Sequence, residues 1–158
     1  MTITLESLTR SARARQLGID NTPPESALVL FPAFREKILG PLCEQFGTLA
    51  ITSGYRCPAL NAAISKAANS DHQWDEFGIA ADITILGKDL RIVYDWIRLE
   101  GWGVPFDQCI LEHDKGTGLL KCIHISYRPN PRRMAMRGGT FGSTKYEHDV
   151  VKDAEDAG

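Results

Sequence analysis

No stretch of this sequence approaches the roughly 18 consecutive apolar residues that a membrane-spanning helix needs. Its first five residues carry no basic segment leading into an apolar one. The expectation is a chain that does not insert into a membrane, is made in the cytoplasm and has no export signal of its own. Charge of one sign is also scarce: 18 Lys and Arg against 20 Asp and Glu leave a formal net charge of -2, which does not point to nucleic acid or another strongly charged partner. Cysteines number only four. Cys43, Cys57, Cys109 and Cys122 are scattered with no C-x-x-C pair, which argues against a disulfide framework and a thiolate metal knuckle and leaves reduced, mostly buried thiols. Repeats and low-complexity tracts are missing, and 158 residues suffice for one core and not for two, so a single domain over 1–158 is expected.

Hydrophobic spacing supplies the elements. Thr4 can cap a first helix whose apolar face is Leu5, Leu8, Ala12 and Leu17, with Gly18 as its C-terminal cap. The stretch 20–24 ends in two prolines and cannot continue a helix. Phe34, Ile38, Leu42 and Phe46 recur every four residues, predicting a core helix over 33–46 with a kink near Pro41. A short strand over 49–52, a short helix over 58–64 and a polar loop over 65–77 follow. The run 79–85 has strand length and β-branched character, with Ala80, Asp82 and Thr84 on one face. A helix over 88–100 and strands over 106–111 and 120–126 complete an α+β architecture, N-terminal helices on a small antiparallel sheet. The tail from about 128 reads as irregular, its arginines 128, 132, 133 and 137 as a solvated surface.

A hydrolytic zinc site takes three protein ligands, usually imidazoles and a carboxylate, with the fourth position left for water. His72 stands in the polar loop, Asp82 inside an otherwise apolar strand and His124 inside another. Asp82 is the most informative of the three, because a carboxylate is rarely buried unless paired or metal-bound. Each residue also has a plain structural reading: a hydrogen-bonded core histidine for His124, a salt-bridged strand residue for Asp82.

In combination these residues resemble the zinc D-alanyl-D-alanine carboxypeptidases and phage L-alanyl-D-glutamate endolysins, whose fold also underlies the hedgehog signalling domain. Ser70-Asp71-His72 followed by Gly78-Ile79-Ala80-Ala81-Asp82 is similar to the family's S-x-H-x-x-G-x-A-x-D signature. Ser53-Gly54-Tyr55-Arg56 with Pro58 and Asn61 is similar to its S-G-Y-R block, and Ile123-His124-Ile125-Ser126 to its final strand. The resemblance implies Zn2+ on His72, Asp82 and His124, and Arg56 as the cation that steadies the scissile carbonyl as it gains charge. The implied substrate is the stem peptide of bacterial peptidoglycan, met after release through a holin or as part of a virion.

Two departures stand out. His72 and Gly78 are six residues apart where the family has three, and the insert carries Trp74. An outward bulge would offer Trp74 as a stacking surface in the substrate cleft. The family's glutamate, three residues before the last histidine, is replaced by Lys121. Strand alternation puts Gln108, Ile110 and Glu112 on one face, and Glu112 is the substitute chosen as general acid/base, ahead of Glu76 and His113. Ser70 can hydrogen-bond substrate or cap its loop; Cys122 can line the pocket or sit in the core. A non-catalytic zinc-containing wall-binding module, or a phage structural protein retaining the site, is the competing function.

Overall fold

The computed structural model describes residues 3–101, 103–138 and 145–153. The N-terminal face is helical. Thr4 Oγ1 accepts the Ser7 amide at the start of α1 (Leu5–Thr9), and Gly18, at φ 65°, ends α2 (Ala12–Leu17). The expected single helix is thus two, because Ser11 caps a second start by accepting the Ala14 amide. Beyond a 3-10 turn (Glu25–Leu28), α3 (Phe31–Phe34) runs through a π turn (Arg35–Leu39) into α4 (Gly40–Phe46). The irregularity expected near Pro41 takes the form of this widened turn just before it, where a regular turn would drive the proline ring into a carbonyl.

The sheet has six strands in the order β1 (Leu49–Ser53), β2 (Ile79–Ile85), β4 (Leu120–Tyr127), β3 (Gln108–His113), β5 (Met134–Arg137), β6 (Glu147–Asp149). Ile79, Ala81, Ile83 and Ile85 of β2, Ile123 and Ile125 of β4, and Cys109 and Leu111 of β3 face the main core. Phe34, Ile38 and Leu42 of the helical layer and Val93 and Ile97 of α6 (Leu90–Leu99) join them there. The opposite positions, one residue out of phase, are left for the site. No described helix is long and apolar enough to cross a membrane.

Two expectations need correction. The sheet is mixed: β5 runs parallel to β3, from Gln108↔Met134 to Leu111↔Arg137, while the other neighbours are antiparallel. The tail, read as irregular, supplies both β5 and β6. Asp107 directs this crossover. Fully buried, its carboxylate accepts from the Arg132 amide and guanidinium at 2.6–3.0 Å, and its own carbonyl accepts the Met134 amide at 2.8 Å. The tail arginines are therefore engaged within the fold: Arg128 and Arg132 on Asp107, Arg133 on Asp153, Arg137 on Glu147 and Asp149.

Candidate metal centre

Strand register places two of the three ligand candidates side by side. Asp82 of β2 is the cross-strand partner of His124 of β4, and Ile110 of β3 is the partner of His124 on its other side. Such neighbours share a face, with Cβ atoms about 5 Å apart. His72 arrives from the loop after α5 (Pro58–Ile64). Its Nδ1 lies 2.7 Å from the Gly54 carbonyl, an acceptor only, so Nδ1 carries the proton and Nε2 presents a lone pair.

Hydrogen bonds set that loop in place. The Arg56 amide donates to the His72 carbonyl at 2.8 Å and the Tyr55 amide to the Leu8 carbonyl at 2.7 Å. Asn21 donates to the Thr9 and Tyr55 carbonyls and accepts the Cys57 amide, so the connector before Pro23 clamps the turn that bears Arg56. Beneath the loop lies Trp74. It is only 3% exposed, stacks on Phe31, meets Tyr55 edge-on, and donates its indole N–H to the Ala80 carbonyl at 3.0 Å. Trp74 therefore turns inward, while Asp75, Glu76 and Phe77 of the same insert stay exposed. Trp74 is not a substrate-stacking surface, because burial in the core and an internal partner for its one polar atom satisfy the side chain better than a wet cleft.

His72 Nε2, Asp82 Oδ1 and His124 Nδ1 form a triangle with sides of 3.0, 3.2 and 3.2 Å. Tetrahedral coordination with bonds of about 2.0 Å requires ligand–ligand edges of roughly 3.3 Å. The protons also argue for a cation. Burial pushes the Asp82 carboxyl up, but the imidazoles of His124 and His72 beside it outweigh that and hold the group well below the usual carboxylate range. Asp82 is therefore anionic, His72 Nε2 is a lone pair, and only His124 Nδ1 has a proton to offer. Three converging acceptors with at most one proton among them fit a metal ion.

The triangle floors a cleft of about 520 Å³ walled by Arg56, Ser70, Glu112, Cys122 and Tyr146, among others. Arg56 is held by Ser53 Oγ, which accepts from its Nε at 3.1 Å and Nη2 at 3.0 Å, and lies 3.5 Å from Asp82 Oδ2. Burial draws the guanidinium down from its ordinary value and the Asp82 carboxylate works against that; it stays a cation. Ser70 caps its loop, its Oγ accepting the His72 amide at 3.3 Å, and it also lines the cleft. Cys122 does likewise: it is a buried wall, and burial pushes its thiol up to about 12, keeping it neutral. His113 reaches the cleft rim, whereas Glu76 lies exposed in the loop and outside the cleft lining. Tyr146, from the tail, escaped the sequence reading; a lone aromatic among Lys145, Glu147 and His148 carries no periodic signal.

The model of a known family, peptidase M15, matches residues 1–118. The chain belongs to the peptidase M15 family. No curated protein and no solved structure matches it. Members of the M15 family are metal-dependent peptidases, in keeping with the expected activity class. The match takes in Arg56, His72, Asp82 and Glu112 but stops short of His124, which the sheet register brings to the other two ligand candidates.

Proposed function

We propose that this M15 peptidase is a zinc enzyme that hydrolyses an amide bond in the stem peptides of bacterial peptidoglycan. The observation that carries the reading is one cleft holding a three-ligand triangle together with a partly buried cation, Arg56, and a carboxylate, Glu112. The three ordered sequence blocks around Arg56, His72 to Asp82 and His124 support the substrate class. When bound, zinc supplies a Lewis acid that acidifies water and polarises a carbonyl.

The chain's own groups do the rest. His72, Asp82 and His124 hold the ion, and the Gly54 carbonyl fixes the tautomer of His72. Glu112 takes the proton from the attacking water and passes it to the leaving amine nitrogen, so it ends the cycle unprotonated. Arg56, anchored by Ser53, stabilises the negative charge that builds on the scissile carbonyl oxygen. Lys121, exposed at the cleft wall, has no lone pair to offer while protonated, and Glu112 on the adjacent strand takes the base role instead. Stem peptides lie outside the cytoplasmic membrane, so the enzyme acts after release through that membrane or as part of a virion.

The test is release of new amino termini from purified peptidoglycan. Zinc-loaded protein is expected to release them, and Glu112→Gln is expected to lose release by about 100-fold or more while elemental analysis still finds one zinc per chain. Zinc-loaded wild type that releases none would show a binding module instead.

A further inference from the structure

Glu112 sits one residue from the end of β3, where the pairing with β4 slips between Glu112 and His113. A glutamate at such a place has three rotatable bonds, and no described strand residue is hydrogen-bonded to its head. Two tail residues fix it. The Tyr146 hydroxyl donates to the Glu112 carboxylate, 3.2 Å from Oε1 and 3.5 Å from Oε2. Gly138 lies against the same group, so close that a Cβ there would fall 2.6 Å from Oε2 and 3.4 Å from the Glu112 Cα.

Both contacts are anchored on the sheet. The Gly138 amide donates to the Leu111 carbonyl at 2.8 Å, and its carbonyl faces His113 Nδ1 at 3.2 Å, so Gly138 bonds to the residues on either side of Glu112. Tyr146 immediately precedes β6, whose Asp149 accepts from Tyr94 at 2.7 Å and from Arg137 at 2.8 and 3.1 Å. The hydroxyl is thereby held at the cleft wall although the ring is 45% exposed. Both residues lie beyond the segment that matches the family model.

We infer that Gly138 and Tyr146 form a cradle that aims the Glu112 carboxylate into the metal cleft, making Tyr146 a positioning residue for the hydrolytic step. The inference rests on the reading of Glu112 as the proton carrier. A hydrogen bond to an ionised group fixes direction as well as energy, and a base that must serve both the water and the leaving nitrogen depends on direction. Gly138 contributes by having no side chain: any Cβ would displace the carboxylate that Tyr146 holds.

The experiment compares the zinc-loaded full chain with Tyr146→Phe, Gly138→Ala, Glu112→Gln and the double variant Tyr146→Phe/Glu112→Gln, on a soluble stem peptide. Tyr146→Phe is expected to lower kcat about tenfold, with KM, zinc content and thermal midpoint unchanged, since the exposed ring remains. Gly138→Ala is expected to lower kcat with zinc retained. In the Glu112→Gln background, Tyr146→Phe is expected to add no further loss, because the two act as one unit. A wild-type kcat for Tyr146→Phe, or the same fractional loss in both backgrounds, overturns the cradle while leaving Glu112 as base. Full activity of Glu112→Gln overturns the base, and the cradle with it.

Discussion

An alanine at position 54 would put a methyl carbon 1.9 Å from the Leu8 carbonyl oxygen and 2.7 Å from its carbonyl carbon. Ordinary C···O contact begins near 3.3 Å, so the turn and α1 would have to separate by more than an ångström. Neither side yields easily. Leu8 is fully buried, and its carbonyl accepts the Tyr55 amide at 2.7 Å. Overpacking of this kind costs about 1–3 kcal/mol and loss of the hydrogen bond about 0.5–1.5 kcal/mol, a total of roughly 1.5–4.5 kcal/mol. For a domain of this size that lowers the melting temperature by roughly 3–18 °C. The Gly54 carbonyl also orients His72, and loss of such a support weakens metal binding by about 10–100-fold. Calorimetry of the metal-free protein and a competitive zinc titration of Gly54→Ala measure the two effects. An unchanged melting temperature together with unchanged zinc affinity would refute the packing argument and the assigned role of the carbonyl.

Trp74→Ala is expected to destabilise the fold by about 3–5 kcal/mol and weaken zinc binding through the loosened loop; a raised KM at unchanged stability would instead mark a substrate contact. Arg56→Lys is expected to keep its zinc and lose about 100- to 1,000-fold in kcat, because an ammonium cannot reproduce the guanidinium fork anchored on Ser53; a fall in zinc content alone would place Arg56 in metal binding. Burial pushes the Asp107 carboxyl up, yet the Arg132 hydrogen bonds and the charges of Arg132 and Arg128 hold it below its ordinary value. With the folded value depressed, its stabilisation is complete above the unfolded value near 3.9 and fades as pH falls through the folded one. Asp107→Asn should therefore cost about 1.5–3 kcal/mol at pH 7 and flatten the acid limb of a stability-against-pH curve; an acid limb identical to the wild type would remove Asp107 from that role.

The part of the site built on regular strands was legible in advance. In β2 and β4, Asp82 and His124 interrupt apolar residues of period two, which identifies both the strand and the polar face, and pairing the strands brings the two together. The loop was less so. Trp74 sits among Asp71, Gln73, Asp75 and Glu76, and local polarity suggested an outward bulge, yet burying a large ring against Phe31 and Tyr55 outweighs the preference of its neighbours for water. The tail strands were invisible for a related reason. Met134–Arg137 has no β-branched residue and Glu147–Asp149 no apolar one; the first pairs through Asp107, its two arginines and an open edge of β3, and the second through Arg137 and Tyr94, which donate to Asp149. With that tail hidden, so was Tyr146 and its contact with Glu112.

Whether a metal held by His72, Asp82 and His124 drives hydrolysis of a stem-peptide amide is decided by mass spectrometry of muropeptides from purified cell walls, treated with chelator-stripped protein before and after one equivalent of zinc. No cleavage is expected before zinc and, after it, paired products whose masses sum to the parent plus one water, cut at a single stem amide. Cleavage without metal, or intact stems with zinc bound, would overturn the proposed role of the triangle.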